Sequence, residues 1–143
     1  MTGGLKVHPH VQDGRRRFEG KSVVVTGGAG GMGLAASRMF AAEGARLSVL
    51  DLSQEAGDAM LKELSDAGHN VSFHQGDLSK PADVDQALDA VMEDRGGIDV
   101  LFNHAGTIIV KPFHETTDAD YDRLMDINRS EERRGGKECR SRW

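Results

Sequence analysis

The sequence holds very little cysteine, proline or aromatic residue. Its 143 residues include one cysteine, three prolines, one tryptophan and one tyrosine. The single cysteine, Cys139, excludes an internal disulfide framework and a zinc site made of cysteines alone, and it is typical of a reducing compartment. The longest apolar runs, such as Ile108–Val110, are far shorter than the roughly 20 residues that span a bilayer. We therefore expect a cytoplasmic protein without a membrane helix.

Positive charge is also scarce. Lys and Arg total 18 against 23 Asp and Glu, which gives a formal net charge of −5. A nucleic-acid-binding domain usually carries a basic surface, so this balance favours a small-molecule partner and argues against nucleic acid. Glycine is the residue in excess, with 18 among 143 positions, and this excess indicates segments where the backbone turns tightly or approaches a ligand.

Short β-branched runs alternate with helical apolar stripes along the chain. Ser22–Thr26 predicts a strand buried on both faces, and apolar residues recurring every three or four positions from Met32 to Phe40 predict the helix after it. The cycle repeats until a fourth apolar run, Ile98–Phe102. We predict an α/β fold, the N-terminal half of a Rossmann-type doubly wound parallel sheet with four strands and flanking helices.

A glycine-rich loop joins the first predicted strand to the first predicted helix. It reads Thr26-Gly27-Gly28-Ala29-Gly30-Gly31-Met32-Gly33. At a helix N-terminus, free N–H groups and the helix dipole favour a pair of phosphates, provided that no Cβ atom blocks the backbone. The loop therefore predicts dinucleotide binding, and a tight turn without a ligand is the structural alternative.

An acidic residue, Asp51, stands at the end of the second predicted strand. A carboxylate there accepts hydrogen bonds from the hydroxyls of an adenosine ribose, which favours NAD as the cofactor. NADP would place a doubly charged 2′-phosphate against the carboxylate, and Leu52 and Ser53 supply no cation to offset it. The alternative is an Asp that serves only as a strand-end or turn residue.

Two further motifs follow later strands. Asn103-His104-Ala105-Gly106 resembles the Asn-Asn-Ala-Gly signature of the short-chain dehydrogenase/reductase family, and Gly76-Asp77-Leu78 resembles its adenine-contacting segment. Together with Thr26-Gly27-x-x-x-Gly31-x-Gly33 they occur in the order of the family's motifs, so residues 18–128 resemble the N-terminal half of a classical member. His104 departs from the pattern, because the family more often has Asn there.

The resemblance implies roles for individual residues. The pyrophosphate would be surrounded by the glycine loop, the adenosine ribose held by the acid after the second strand, and the nicotinamide side flanked by the Asn103 motif. The implied cofactor-binding residues are Gly27, Gly31, Met32, Gly33, Asp51, Asp77, Leu78, Asn103, Ala105 and Gly106. Asn128 resembles the Asn of the family's catalytic tetrad, which supports a water in the proton relay; a helix-surface Asn is the alternative.

The resemblance also implies an NAD-dependent oxidoreductase that interconverts an alcohol and a carbonyl by hydride transfer, with a homo-oligomeric parent protein. In the family a Tyr acts as general acid or base beside a Lys four residues later, and a Ser positions the oxygen. Here the one tyrosine is Tyr121, and Met125 stands four residues after it. The 143-residue chain itself is therefore predicted to be inactive. The alternatives are a non-catalytic NAD-binding module and, with less support, a methyltransferase of similar sheet architecture.

Both ends of the chain are predicted to lie outside the domain. Residues 1–17 lack apolar periodicity and predict a flexible tail, in which His8 and His10 have no third ligand nearby, so no metal site is predicted. Residues 129–143 hold the one cysteine and the one tryptophan, and they resemble the translation of a common sequencing adapter. We interpret them as a non-native tail on a fragment that lacks the catalytic half.

Overall fold

A computed structural model describes residues 16–128, so most of the predicted N-terminal tail and all of residues 129–143 lie outside the described part. The strands and helices alternate along the chain in the order β1 (Ser22–Thr26), α1 (Gly31–Ala42), β2 (Arg46–Asp51), α2 (Gln54–Asp66), β3 (Val71–Gln75), α3 (Pro81–Arg95) and β4 (Val100–Asn103). A 3₁₀ turn at Phe113–Glu115 and a helix over residues 118–128, here α4, follow β4.

The four strands form one parallel sheet in the order β3-β2-β1-β4. The chain moves outward from β1 to β3, and α3 then carries it back across the sheet so that β4 pairs with β1. Such a reversal of strand order opens a crevice beyond the carboxyl ends of the strands. The predicted Rossmann-type half is therefore confirmed, and its topology places a cleft at the ends of β1 and β4.

One face of the sheet packs against α1 and α2. Alternate residues of β1 and β2 are fully buried there, and Met60 and Leu64 of α2 meet them. Gly57 lets α2 lie close to the sheet, because a Cβ at this position would come within 2.4 Å of the Phe73 ring. The remaining buried members of this core are Val23, Val25, Ala29, Ala41, Ala45, Leu47 and Val49.

The other face is covered by α3 and carries more polar side chains. The buried stripe of α3 is formed by Val84, Ala87, Leu88 and Val91. Beneath this helix the Ser72 hydroxyl donates to Ser48 Oγ at 2.9 Å and lies 3.3 Å from Nε2 of His74. Burial, and then the nearby charge of Arg95, lowers the pKa of His74.

Local signals mark the bounds of most elements. The Ser53 hydroxyl caps α2 by accepting from the Ala56 N–H at 3.2 Å, and Gly96 ends α3 with a left-handed φ of 76°. β4 is the exception, because it begins at Val100 and not at Ile98. The Asp99 N–H donates to the Ser22 carbonyl at 2.9 Å, but the N–H of Ser22 donates to the Asp99 carboxylate at 2.8 Å, so a side chain makes one of the two bonds before β4.

The first described residues already contact the domain. Arg17, which falls in the predicted tail, forms a two-point ion pair with Glu43, whose side chain is 5% exposed. Arg16 pairs with Glu19 in the turn before β1. No helix within residues 16–128 has the length and apolar character needed to cross a bilayer.

Candidate cofactor site

A cleft of about 770 Å³ lies beyond the carboxyl ends of the four strands. We call it the strand-end cleft. It is bounded by the loops that follow each strand and by one side of α4. Its lining residues are Gly27, Gly30, Met32, Asp51, Leu52, Ser53, Ala56, Gly76, Asp77, Leu78, Ser79, His104, Ala105, Gly106, Thr107, Ile108, Arg123, Ile127 and Asn128.

The glycine loop packs so closely that side chains are excluded from it. Gly27 has a φ of 63°, and a Cβ there would lie 2.9 Å from Cα of Ala105. A Cβ on Gly33 would meet the Gly27 carbonyl oxygen and would lie 2.8 Å from Cδ2 of His104. The Ser37 hydroxyl, fully buried in α1, donates to the Gly28 carbonyl at 2.9 Å. The loop is therefore held flat against β1 and β4 by contacts that only glycine permits.

The N-terminus of α1 opens beside this loop. Gly30 is its N-cap residue, no side chain caps the helix, and its first turn contains no acidic residue. The early N–H groups of a helix have no partner within the helix, and the helix dipole adds partial positive charge at this end. The end of α1 therefore offers backbone donors to an anionic group in the strand-end cleft.

Asp51 joins the end of β2 to the glycine loop. One carboxylate oxygen accepts from the backbone N–H of Ala29 at 3.0 Å, and the other accepts from that of Ser53 at 3.2 Å. A carboxylate has about four acceptor positions, so two stay open toward the cleft. The two backbone bonds fix the side chain in place, and the open positions can accept hydroxyl hydrogens from a ligand.

The end of β1 is tied to the loop after β4 by one hydroxyl. Oγ1 of Thr26, which is 3% exposed, accepts from the backbone N–H groups of His104 at 3.1 Å and Ala105 at 3.2 Å. The His104 ring stacks parallel to Phe102, with 5.8 Å between ring centroids. The position at which His104 departs from the family pattern is thus packed by its ring and bonded through its backbone.

Asp77 shapes the loop after β3. Its carboxylate accepts from the hydroxyl of Ser79 at 2.7 Å and from the backbone N–H of Ser79 at 3.0 Å. These bonds, with the charge of Lys80 at 3.5 Å, lower the pKa of Asp77. Asp77 therefore enters the strand-end cleft as an ionised carboxylate whose loop is already ordered.

Asn128 holds the loop after β4 with both ends of its amide. Oδ1 accepts from the backbone N–H of Thr107 at 2.8 Å, and Nδ2 donates to the carbonyl of Thr107 at 3.0 Å. A Cβ on Gly106 would lie 3.3 Å from the same Oδ1, so glycine leaves room for this pairing. Asn128 thus lies on the side of α4 that faces the cleft and positions its wall.

The structure brings most of the predicted site residues to one place. The strand-end cleft is lined by Gly27, Met32, Asp51, Asp77, Leu78, Ala105, Gly106 and Asn128. Three predicted residues do not line it. Gly31 opens α1 with a φ of 52°, Gly33 lies under the loop against Gly27, and Asn103 ends β4 opposite Thr26.

Sequence reasoning missed several lining residues. No role was predicted for Thr107, Ile127 or Arg123, and Ile108–Val110 was interpreted as packing at the end of the fourth strand, with a wall of an active site as the alternative. Ile108 is instead 80% exposed and lines the cleft. Thr107 and Ile127 adjoin Gly106 and Asn128 in the sequence, and that adjacency is the signal that would have found them.

A metal site has no support in the described part of the chain. Among residues 16–128, no three or more His, Cys, Asp or Glu side chains are placed to hold an ion together. His8 and His10, for which no metal site was predicted, lie outside these residues.

The sequence and the fold of the chain are both similar to those of known proteins. The family model described as short chain dehydrogenase matches residues 21–130. The chain belongs to this family. The match confirms the predicted family, and similar solved short-chain dehydrogenases confirm the predicted sheet architecture.

Two curated relatives illustrate the extent of the match. An uncharacterized oxidoreductase of Thermotoga maritima is 34% identical over 111 residues, which cover 78% of this chain and 43% of that protein. D-threitol dehydrogenase of Mycolicibacterium smegmatis is 37% identical over 117 residues, which cover 80% of this chain and 44% of that protein. This short-chain dehydrogenase chain therefore spans less than half the length of either relative.

Solved structures show the same partial coverage. A short chain dehydrogenase from Mycobacterium smegmatis matches with a TM-score of 0.81 at 29% identity, over 87% of this chain and 52% of that one. A variant of actinorhodin polyketide ketoreductase, solved with NADPH, matches with a TM-score of 0.79 at 28% identity, over 83% of this chain and 46% of that one.

Proposed function

We propose that this short-chain dehydrogenase chain binds NAD and forms the cofactor-binding part of an oxidoreductase that interconverts an alcohol and a carbonyl. The observation that carries the proposal is Asp51, whose carboxylate is fixed beside the glycine loop in the strand-end cleft. The oxidoreductase class is that of the family. The choice of NAD and the alcohol/carbonyl chemistry are our proposals.

The residues of the cleft fit a dinucleotide. The glycine loop excludes Cβ atoms where Gly27 and Gly33 touch neighbouring backbone, and the open end of α1 supplies donors for phosphate oxygens. Asp51 would accept from the ribose hydroxyls, while Asp77 and Leu78 would border the adenine. Bound NAD would supply a nicotinamide that accepts or gives hydride.

The electrostatics near Asp51 favour NAD over NADP. The loop 27–33 and the two residues after Asp51 contain no Lys or Arg. A 2′-phosphate at the ribose would therefore meet the carboxylate without a local counter-charge. The ketoreductase with NADPH shows that a similar fold accommodates the phosphorylated cofactor, so the discrimination must come from residues at this position.

Asn128 is assigned a positioning role in the parent enzyme. Both polar atoms of its amide bond to Thr107, which holds the loop on the nicotinamide side of the proposed cofactor. Its second Nδ2 hydrogen and second Oδ1 lone pair stay open for a water in the proton relay. Without a Tyr-x-x-x-Lys motif, the 143 residues are proposed to bind cofactor without turning over substrate.

The proposal is tested by binding of the two cofactors to the 143-residue chain and to Asp51→Asn. Calorimetry is expected to show tighter binding of NAD than of NADP. Asp51→Asn is expected to reduce the ratio of NAD affinity to NADP affinity by about tenfold, which corresponds to about 1.4 kcal/mol. Asp58→Asn is the matched control, because Asp58 is exposed on α2 and bonds to Gln54. Tighter binding of NADP with Asp51 intact would refute the cofactor choice.

The chemistry is tested on a gene product that covers the full length of the relatives. Alcohol-dependent formation of NADH supports the oxidoreductase, whereas NAD binding without any such turnover favours the non-catalytic module.

We also propose a homo-oligomeric parent protein and a cytoplasmic location. The first follows from the family resemblance, and the second from the scarcity of cysteine in the sequence.

A further inference from the structure

The side chains that line the strand-end cleft carry more negative than positive charge. Asp51 and Asp77 contribute carboxylates, and Arg123 is the one Lys or Arg side chain among the lining residues of the described chain. A bound dinucleotide adds the negative charge of its pyrophosphate. The glycine loop and the end of α1 offer only neutral N–H groups and a partial positive charge to that group. Full neutralisation of the pyrophosphate charge therefore depends on a cationic side chain from elsewhere in the cleft.

Arg123 is carried on an ordered wall. It lies in α4 one turn before Ile127, and the next residue, Asn128, bonds twice to Thr107. Thr107 belongs to the loop whose start is held by the Thr26 hydroxyl. The helix therefore fixes the backbone of Arg123 relative to the glycine loop.

The guanidinium of Arg123 has no acidic partner within residues 16–128 of the structure. Asp120, one turn before Arg123, pairs with Lys111 and accepts from Thr117. In the cleft, Asp77 is bonded to Ser79 and paired with Lys80, as described above. Arg123 is exposed, so its charge is hydrated and available to a ligand.

We propose that Arg123 binds the pyrophosphate of the dinucleotide from the α4 side of the strand-end cleft. This inference rests on the proposed function and names a further binding residue for it. A guanidinium presents several N–H donors in a planar fork that matches phosphate oxygens, and charge-assisted bonds of this kind are stronger than neutral ones. Lys at this position would keep the charge and lose the fork.

The test compares ADP, which carries a pyrophosphate, with adenosine, which carries none. The 143-residue chain and its variants are titrated with both ligands by calorimetry, and circular dichroism checks that each variant is folded. Arg123→Met is expected to weaken ADP binding about five- to tenfold and to leave adenosine binding unchanged, while Arg123→Lys weakens ADP less. Added salt is expected to narrow the difference in ADP affinity between Arg123→Met and the unsubstituted chain.

Lys62→Met is the control for net charge. Lys62 is exposed on α2, pairs with Asp66 and does not line the cleft, so its loss changes the total charge equally. An equal loss of ADP affinity in Lys62→Met and Arg123→Met would overturn the inference, as would an equal loss of adenosine and ADP binding in Arg123→Met.

The outcome also separates this inference from the proposed function. ADP and NAD binding that is unchanged in Arg123→Met would refute the role of Arg123 and leave the cofactor site standing. Absence of ADP and NAD binding by the unsubstituted, folded chain would refute the proposed function and this inference with it.

Discussion

Replacing Gly33 by Ala tests whether the glycine loop is shaped by backbone contact. Gly33 lies in the first turn of α1, and an added Cβ would lie 2.9 Å from the carbonyl carbon of Gly27 and nearer still to the oxygen. It would also lie 2.8 Å from the His104 ring. Carbon atoms in packed proteins prefer about 3.5 to 4.0 Å. The Gly27 carbonyl, or the end of α1, must therefore retreat by roughly 1 Å.

The surrounding backbone resists this movement. The N–H of Gly27 donates to the Leu50 carbonyl at 2.7 Å, and Gly27 itself packs against Ala105. A small-to-large change in a well-packed region usually costs about 1 to 3 kcal/mol, and here backbone must move, so we expect the upper end of that range. For a domain of this size the corresponding fall in Tm is roughly 10 °C.

Gly30→Ala provides the matched control in the same loop. Gly30 has a φ of −142°, and a Cβ there would meet no atom within 4 Å. Its cost is limited to the N-cap preference and is expected to stay below about 1 kcal/mol. Urea denaturation followed by circular dichroism compares the two variants. Equal stability of Gly33→Ala and Gly30→Ala would show that the loop relaxes freely and that close packing does not dictate glycine at residue 33.

Two further substitutions test polar contacts. Thr26→Val leaves the N–H groups of His104 and Ala105 without an acceptor and is expected to lower the free energy of unfolding by about 1 to 3 kcal/mol. Thr26→Ser keeps the hydroxyl and should retain most of the free energy of unfolding. Equal losses of stability in Thr26→Val and Thr26→Ser would contradict the hydrogen-bonding role of the Thr26 hydroxyl. Because the pKa of His74 is lowered by folding, the unfolded chain binds more protons and stability falls as pH drops below about 6.5. His74→Gln is expected to flatten that fall in urea curves at about pH 7.5 and 5.5, and an unchanged slope argues against the burial of a neutral His74.

Local patterns in the sequence predicted the elements of the fold well. The strand Ser22–Thr26 was placed at its observed bounds, and the helix predicted from the apolar pattern at Met32–Phe40 is α1. These features depend on neighbours within a few residues. The predicted start of β4 was wrong. The Asp99 side chain accepts from the N–H of Ser22 where a backbone carbonyl would accept in a regular strand, and no local pattern reports that contact.

The residues of the candidate site also fall into those that local motifs predicted and those that depend on packing between distant segments. Motifs that follow strands located Asp51, Asp77 and Gly106, because strand ends of a parallel sheet meet at one edge. Arg123 was missed, because its place in the cleft depends on how α4 packs after a long loop. Sequence spacing alone does not determine that packing.

The bonds between Thr26 and the loop after β4 also constrain the order of folding. They join residues 78 and 79 positions apart, and β4 pairs with β1 at one edge of the described sheet only after the whole stretch between them has been made. During vectorial synthesis, β1, β2 and α1 emerge first and can pack with one another. The wall formed by His104 and Ala105 closes after this first part, because contacts of long sequence separation carry the largest loop entropy. Nucleotide affinity in a growing chain would therefore appear late, once β4, the loop after it and α4 have all left the ribosome.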